Sequence, residues 1–335
     1  MFRIRLGGIK ISEGRSHLNA SCHCGENALT NICSRLAVHR INITLLTHVA
    51  DSAGGHSVSA LCTEKEDGFS GYFLLKVKGG QDCTVSMESD INILSVFPHE
   101  QKPAVTGKLL ETLAGNGVRL RGLASSPSAM SLLIASPDMA RVIDGLFSAF
   151  DFPSYPTPLD WHAAYQGKEQ VLREIICSYE EQVIKVYNIA QQVDLDLWSL
   201  TLPHSQLNSL GAALVGVDGF GIRMPFMVAH PGLQEQLSTS FCFPISHREE
   251  VRQELSRHLP QVLPVRHDPV VALSLHGPHF GDRYGITNAL VGALQGAAVL
   301  PLAVSCAVST ISVVIRSEEL ERSIQALSGS FTIPS

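Results

Sequence analysis

The stretch that decides the fold is Asn31-Ile32-Cys33-Ser34-Arg35-Leu36-Ala37-Val38-His39-Arg40-Ile41-Asn42-Ile43. Its apolar residues recur at helical spacing up to Leu36 and then alternate with polar ones. This pattern predicts a helix that runs directly into a strand. Three further segments show the same pattern, at 108–120, 185–195 and 289–299. Self-similarity of this kind predicts a repeated structural unit.

The spacing of the four segments divides the chain. Their first strand residues lie 77, 75 and 106 residues apart, at Ile41, Val118, Val193 and Val299. The longer third interval indicates an insertion of about thirty residues near 218–245. Four modules are therefore predicted, and their bounds are 1–90, 91–167, 168–268 and 269–335.

Each module is predicted to follow the order β-α-β-β-α-β. Short apolar runs that are typical of strands precede the first helices, at 91–97, 173–177 and 270–275. The second helices have clear starts: Ser136-Pro137-Asp138 places a cap before a first-turn proline, and Ser246 with Glu249 has the pattern of a capping box. The predicted fold class is therefore α+β, with four ferredoxin-like modules whose antiparallel sheets are covered by two helices on one face.

Composition argues against several classes of protein. A net charge of −6 and an aromatic content of 6% disfavour a nucleic-acid surface. Residues 1–8 contain no long apolar run, so no signal peptide is predicted. The eight cysteines are widely scattered, which favours buried free thiols in a cytoplasmic protein. The uncharged stretch 285–315 is long enough to cross a membrane, but its glycines and its alternating second half favour a soluble helix and strands instead.

The helix-to-strand corners resemble those of ACT domains, which are small-molecule-sensing modules of amino-acid metabolism. Residues 36–43 are similar to the end of the first ACT helix and the strand that follows it. Val193-Asp194-Leu195-Asp196-Leu197 resembles the form found in the regulatory region of aspartokinases, and so do 275–278 and 309–313. The Lys-Phe-Gly-Gly element that opens an aspartokinase kinase domain has no full counterpart, so the chain resembles the regulatory modules without the kinase domain.

The resemblance implies that an amino acid binds between two paired modules, under the loop that enters the first helix. A helix N-terminus with free N–H groups suits the α-carboxylate. In the loop 277–286, Asp282 is expected to face the ammonium and Arg283 the carboxylate. The full set of expected ligand-binding residues is Gly277, Phe280, Asp282, Arg283, Tyr284, Gly285, Ile286, Asn27, Asn42 and Asp194. The alternatives are a glycine-rich surface turn at 277–286, and polar corner residues that only satisfy backbone groups.

No catalytic residue, metal site or cofactor is predicted. The run Cys22-His23-Cys24 is too tightly spaced for a standard zinc hook, and no Cys-x-x-Cys pair completes it. Residues 106–109 lack the first Gly and the Ser or Thr of a phosphate-binding loop. In 216–221 the glycines stand in the wrong order for a dinucleotide-binding motif.

Three functions are compatible with these observations. The leading hypothesis is a non-catalytic protein that binds an amino acid and regulates amino-acid metabolism, as a homodimer or together with a biosynthetic enzyme. The second is a protein-interaction scaffold whose ligand sites have decayed. The third is a diverged aspartokinase-related protein, for which we expect ATP turnover with aspartate.

Overall fold

A computed structural model describes residues 3–23, 27–50, 56–78, 83–165, 186–232, 236–277 and 283–332. In these ranges the strands are β1 (Ile4–Arg5), β2 (Gly8–Cys22), β3 (Leu45–Ala50), β4 (Ser57–Glu64), β5 (Cys83–Phe97), β6 (Gly122–Ser125), β7 (Met130–Ala135), β8 (Phe150–Asp151), β9 (Asn188–Pro203), β10 (Phe226–Pro231), β11 (Gln236–Pro244), β12 (Val265–His276), β13 (Ala303–Ala307) and β14 (Thr310–Arg316). The α-helices are α1 (Ala28–Val38), α2 (Gly68–Lys78), α3 (Pro103–Gly115), α4 (Met139–Ala149), α5 (Pro158–Tyr165), α6 (Leu207–Asp218), α7 (Arg248–His258), α8 (Ile286–Gly296) and α9 (Leu320–Ser330).

Twelve of the described strands form one closed antiparallel sheet. Its order is β10-β11-β9-β12-β14-β13-β3-β4-β2-β5-β7-β6, and β6 pairs back with β10. The first half of the chain supplies six adjacent strands and the second half supplies the other six. The pairs β3–β13 and β6–β10 join the two halves, while β1 pairs separately with β8. The predicted α+β class with antiparallel pairing is thus confirmed, as one large sheet.

The repeated sequence signal corresponds to a helix end, and the strands begin four residues later than predicted. Arg40, Gly117 and Ala298 each adopt a positive φ just beyond α1, α3 and α8. The next residue then donates its N–H to a carbonyl of the last turn, as in Ile41 to Leu36 at 2.9 Å. A left-handed residue followed by such a bond is the geometry that ends a helix with its last carbonyls satisfied.

The third predicted corner is wrong. Residues 188–203 form one strand, β9, and residues 186 and 187 before it are not helical. The corresponding helix end is that of α6, where Gly221 has a φ of +71° and Ile222 is buried. Ile222 and Val299 lie 77 residues apart, the same spacing as the first two corners. Residues 218–245 accordingly hold the end of α6 with β10 and β11.

Asp194, predicted as a corner residue at a ligand site, instead lies within β9. It is exposed and has a φ of +56°, and the pairing of β9 with β12 shifts register at this point. The pair β2–β5 has the same design, with Gly14 and Asp90 at positive φ where its register shifts. An extra residue of this kind bends a strand and increases its twist. Each long strand can therefore serve two neighbouring parts of the sheet.

The helices cover the outer face of the sheet and bury two large apolar cores. One core lies under α3, α4, α6 and α7, and the other under α1, α8 and α9. Each core therefore contains helices from both halves of the chain. Because the hydrophobic effect scales with the apolar area that is removed from water, these shared cores hold the two halves together.

Several local predictions are confirmed and two are corrected. Strands occupy 91–97 and 270–275 as predicted. A helical turn at Ser136–Asp138 leads into α4, but the predicted Ser136 cap is not made, because its hydroxyl donates to the Asp90 carbonyl at 2.8 Å instead. No described helix is long and apolar enough to cross a membrane, and 285–315 forms α8, β13 and β14. The predicted capping box at 246–249 is not made, because a turn at Ile245–His247 precedes α7 and no side chain caps that helix.

The prediction of free thiols throughout is wrong for one pair. Cys22 and Cys83 form a disulfide, because the antiparallel register of β2 and β5 places them opposite each other. Four other cysteines are buried and free, namely Cys33, Cys62, Cys242 and Cys306. The strand predicted at 173–177 lies outside the described residues.

Candidate functional site at the seams between the two halves

The two halves of the chain meet along two seams that have the same plan. In the first, which we call the α1–α8 seam, β3 pairs with β13 and α1 contacts α8. In the second, the α3–α6 seam, β6 pairs with β10 and α3 contacts α6. Both strand pairs are antiparallel, so the two helices of each seam also run in opposite directions. At each end of a seam, the start of one helix therefore lies near the end of the other.

One end of the α1–α8 seam gathers most of the residues that the sequence predicted for ligand binding. Gly277 follows β12, and its N–H donates to the Ser309 carbonyl at 3.1 Å. Leu45, the first residue of β3, lies opposite Ala307 at the end of β13. The same edge of the sheet therefore carries the predicted residues Asn42, Gly277, Arg283, Tyr284, Gly285 and Ile286.

The chemistry of this seam end suits a carboxylate. Gly285 precedes α8 with a φ of +87°, a conformation that side chains rarely adopt, and it supplies no side-chain oxygen to the first N–H groups of the helix. Arg283, two residues before Gly285, and Asn42, at the same edge of the sheet, are half-buried and carry a guanidinium and an amide. A helix N-terminus next to a guanidinium is favourable for an anion. Phe280 and Asp282 lie outside the described residues.

Asn27 lies at the opposite end of the same seam, so the structure does not bring it to Asn42. Its Oδ1 accepts a hydrogen bond from Gln295 Nε2 at 2.5 Å, which ties the start of α1 to the end of α8. At this end the Ala50 N–H also donates to the Leu302 carbonyl at 2.9 Å. Asn27, predicted as a ligand-binding residue of the loop before α1, therefore connects the two halves of the chain.

The α3–α6 seam is closed by the protein's own groups. The Ala104 N–H, in the first turn of α3, donates to Asp218 Oδ1 at 3.3 Å, so a carboxylate of the second half already lies at this helix N-terminus. The Met224 N–H donates to the Gln101 carbonyl at 2.8 Å. At the other end His204 Nε2 bonds to the Leu120 carbonyl at 3.0 Å. Both ends of this seam thus contain direct contacts between the halves.

One position in each helix explains why the two seams differ. The fifth residue of α3 is Gly107 and that of α6 is Gly211, and a Cβ on Gly107 would lie 2.5 Å from the Gly211 carbonyl oxygen. These helices therefore touch backbone to backbone. The fifth residues of α1 and α8 are Ile32 and Leu290, whose buried side chains require more room between helix axes. At this position α1 and α8 therefore cannot make the backbone contact that α3 and α6 make.

Sequence reasoning missed a buried ion-pair network between β9, α7 and β12. Asp196 is fully buried, and both of its oxygens accept bonds from Arg248 at 2.8 Å. Asp268 lies 2.5 Å from the same guanidinium, and the bonds to Asp196 raise the pKa of Arg248. The detectable signal was an acidic residue inside an apolar strand, between Leu195 and Leu197. Its partner could not be found, because it lies on a helix fifty residues away in the chain.

Within the described residues, no three His, Cys, Asp or Glu side chains are arranged to hold a metal ion. This finding concerns only that part of the chain.

Comparison with known proteins gives structural matches only. No protein-family model matches the chain, and no curated protein sequence matches it. The solved structure of aspartate kinase from Synechocystis matches 98% of this chain with a TM-score of 0.80 at 13% identity. The regulatory subunit of aspartate kinase from Thermus thermophilus, in its ligand-free form, matches 44% of this chain and 99% of its own, with a TM-score of 0.40 at 14% identity. Aspartate kinase from Clostridium acetobutylicum matches 47% of this chain and 37% of its own, with a TM-score of 0.39 at 13% identity.

The match to the Synechocystis structure confirms the coarse resemblance to aspartate kinases at the level of the fold and corrects the functional hypothesis. The chain shares its fold, over nearly its whole length, with a protein that is an aspartate kinase. The expectation of a non-catalytic regulatory protein that is not an enzyme is contradicted by this match. The chain spans 58% of the length of the Synechocystis aspartate kinase.

Proposed function

We propose that the chain is a diverged aspartokinase-related protein that works in an aspartokinase-type enzyme. The observation that carries this proposal is the agreement of fold with an aspartate kinase over 98% of the chain. The reaction would transfer a phosphoryl group from ATP to aspartate. The chain spans 58% of the length of that kinase, so the proposed activity refers to the protein as it occurs naturally.

The fold would consist of four ferredoxin-like modules of the ACT type, with the bounds predicted from the sequence. The order β2-α1-β3-β4-α2-β5 supports this division, and β9-α6-β10-β11-α7-β12 repeats it in the second half. The long strands β2, β5, β9 and β12 bend near their middles, so one strand can belong to two modules. A homodimer and a cytoplasmic location stay predictions.

The amino-acid ligand of this enzyme would bind at the α1–α8 seam, at the end where α8 begins. Arg283 and the first N–H groups of α8 would bind the α-carboxylate, and the Asn42 side chain would accept a hydrogen bond from the ammonium group. The Asp218 carboxylate occupies the matching place at the start of α3, which supports an acidic group as the ligand of such a helix start. One seam would therefore hold a ligand while the other serves as a structural joint.

The activity is tested on the protein isolated from its natural source. ADP release is measured with Mg-ATP in the presence and absence of aspartate. We expect aspartate-dependent turnover that glutamate does not support. Turnover that is absent, or equal with both amino acids, contradicts the proposed function.

The ligand site is tested by thermal-shift measurements with each of the twenty amino acids. A ligand at a hundred times its Kd should stabilise the fold by about 2.7 kcal/mol. Replacing Arg283→Gln should raise the Kd of the ligand by about tenfold, the worth of one charge-assisted contact, so the stabilisation at the same concentration should fall to about 1.4 kcal/mol. The matched control is Arg322→Gln, on the exposed side of α9, which should leave the response unchanged. A ligand that binds both variants equally would place its site elsewhere.

A further inference from the structure

A second group of polar side chains lies in the interior of the sheet, away from both seam ends. His17 and Asn19 come from β2, His230 from the end of β10, and Arg121 from the residue before β6. His17 and His230 are only 3% and 2% exposed. The Asn19 side-chain amide donates to the Pro231 carbonyl at 3.3 Å, so strands from opposite halves of the chain meet here. We call these four side chains the β2–β10 polar cluster.

Four atoms of this cluster have no hydrogen-bond partner among the described residues. They are His17 Nε2, His230 Nδ1, Arg121 Nε and Asn19 Oδ1. A buried polar atom that loses its bond to water without a replacement destabilises a fold, and such atoms are rare. Four of them at one place, contributed by both halves of the chain, indicate that a small polar ligand completes the cluster.

The charges around the cluster indicate the charge and protonation that such a ligand would need. Arg121 Nη2 lies 2.9 Å from Glu88 Oε1, and Arg15 pairs with Glu64, so each of these cations already faces an anion. The imidazoles of His48 and His56 also lie near His230, from the β3 and β4 sides of the sheet. Desolvation by burial lowers the pKa of His17 and of His230 to about 4, so both rings are neutral at pH 7. Each neutral ring can accept one proton.

We propose that the β2–β10 polar cluster binds a small oxyanion that carries a hydroxyl group, with the chemistry of hydrogen phosphate or bicarbonate. The oxyanion oxygens would accept bonds from Arg121 Nε and from the two ring nitrogens, and the hydroxyl would donate to Asn19 Oδ1. Because the surrounding charges already balance, the anion would enter together with a proton on His17 or His230. Binding would therefore tie the two halves of the chain together and would tighten as the pH falls.

The test is calorimetry of the whole protein with inorganic phosphate, bicarbonate and sulfate at pH 7, with sulfate as the matched anion that lacks a hydroxyl group. We expect saturable binding of phosphate or bicarbonate, at least about tenfold tighter than that of sulfate. Phosphate titrations in two buffers of different ionisation enthalpy should show uptake of about one proton for each anion. Phosphate should also bind more tightly at pH 6 than at pH 8. The anion that binds more tightly, phosphate or bicarbonate, identifies the ligand of the cluster.

Variants localise the site. Arg121→Gln should weaken anion binding by about tenfold or more, whereas Arg141→Gln on the exposed face of α4 should leave it unchanged. NMR of the imidazole nitrogens in the unaltered protein gives a measurement that needs no variant, since phosphate should shift the signals of His17 and His230. The proposal is overturned if neither phosphate nor bicarbonate binds saturably, if sulfate binds equally well, or if both histidine signals stay unchanged at saturation.

Discussion

Three imidazoles at the junction of the two halves are the most unusual side chains at the scale of single residues. Burial lowers the pKa of His17 and of His230 to about 4, with smaller contributions from Arg121 and from neighbouring histidines. It lowers that of His48 to about 3, helped by His230. His48 Nδ1 also bonds to Ser59 Oγ at 2.8 Å, which satisfies one nitrogen of the neutral ring. These rings are therefore built into the fold as uncharged groups.

We expect the free energy of unfolding to fall as the pH is lowered from about 6.5 towards 4. An unfolded imidazole takes up its proton near pH 6.5, whereas the folded ones resist protonation until the lower pKa values are reached. The unfolded state therefore binds more protons throughout this window and gains stability relative to the folded state. At pH 5 each ring should account for about 2 kcal/mol.

Urea unfolding at pH 7.5 and pH 5 measures this effect. His48→Gln should reduce the difference between the two pH values, whereas His162→Gln, at an exposed position on α5, should not. Equal stability at both pH values in the unaltered protein would contradict the assignment of neutral buried rings.

The second prediction at the residue scale concerns the Asp196–Arg248 pair. Asp196→Asn removes the charge that Arg248 needs, and the amide can no longer accept two bonds from the guanidinium. Because Asp196 is buried while Arg248 is 28% exposed, this loss should lower the free energy of unfolding by about 3 kcal/mol, the lower end of the range for buried pairs. Urea unfolding at pH 7 provides the measurement. The control is Glu249→Gln, which breaks an exposed ion pair with Arg252 on the same helix. It should change the free energy of unfolding by less than about 0.5 kcal/mol.

The two seams differ most clearly at the scale of helices. Gly107 and Gly211 let α3 and α6 touch, and Gly107→Ala would push its methyl group into the Gly211 carbonyl. We expect a loss of about 1–3 kcal/mol, because backbone atoms at a helix crossing cannot move aside as a flexible side chain can. Thermal unfolding checks this.

The same helix α3 provides the control for that substitution. Gly115→Ala places a methyl group where no atom lies within 4 Å, so it should be neutral or slightly stabilising. If both alanine variants have the same stability, the backbone contact between the two helices does not hold the α3–α6 seam together.

The ends of the helices and strands show which boundaries a local sequence pattern can predict. The ends of α1, α3 and α8 could be predicted from the sequence. In each of them the apolar stripe stops at a leucine whose carbonyl accepts the bond that closes the helix, namely Leu36, Leu113 or Leu294. The segment 185–195 has similar spacing, yet from 188 onwards it is strand. Its exposed residues alternate too weakly to indicate a strand, and pairing with both β11 and β12 decides its structure.

At the scale of the whole molecule, the disulfide between Cys22 and Cys83 closes a loop across the first half of the chain. The two residues are 61 positions apart, and the bond limits the freedom of the unfolded chain. Reduction should therefore lower the free energy of unfolding by about 2–4 kcal/mol. Denaturant unfolding with and without a phosphine reductant measures the difference. The double variant Cys22→Ser with Cys83→Ser should already have the lower stability and should not respond to the reductant.

The sequence by itself determined the α+β class, the repeated helix ends, several strands and most of the residues at one end of the α1–α8 seam. These features depend on periodicity and on hydrogen bonds between residues near in the chain, and such interactions leave a local pattern. Only the tertiary structure decided that the sheet closes, that Cys22 meets Cys83, that Asp196 is buried against Arg248, and that α3 and α6 touch backbone to backbone. Those features depend on the register and spacing of elements far apart in the chain, which no local pattern encodes.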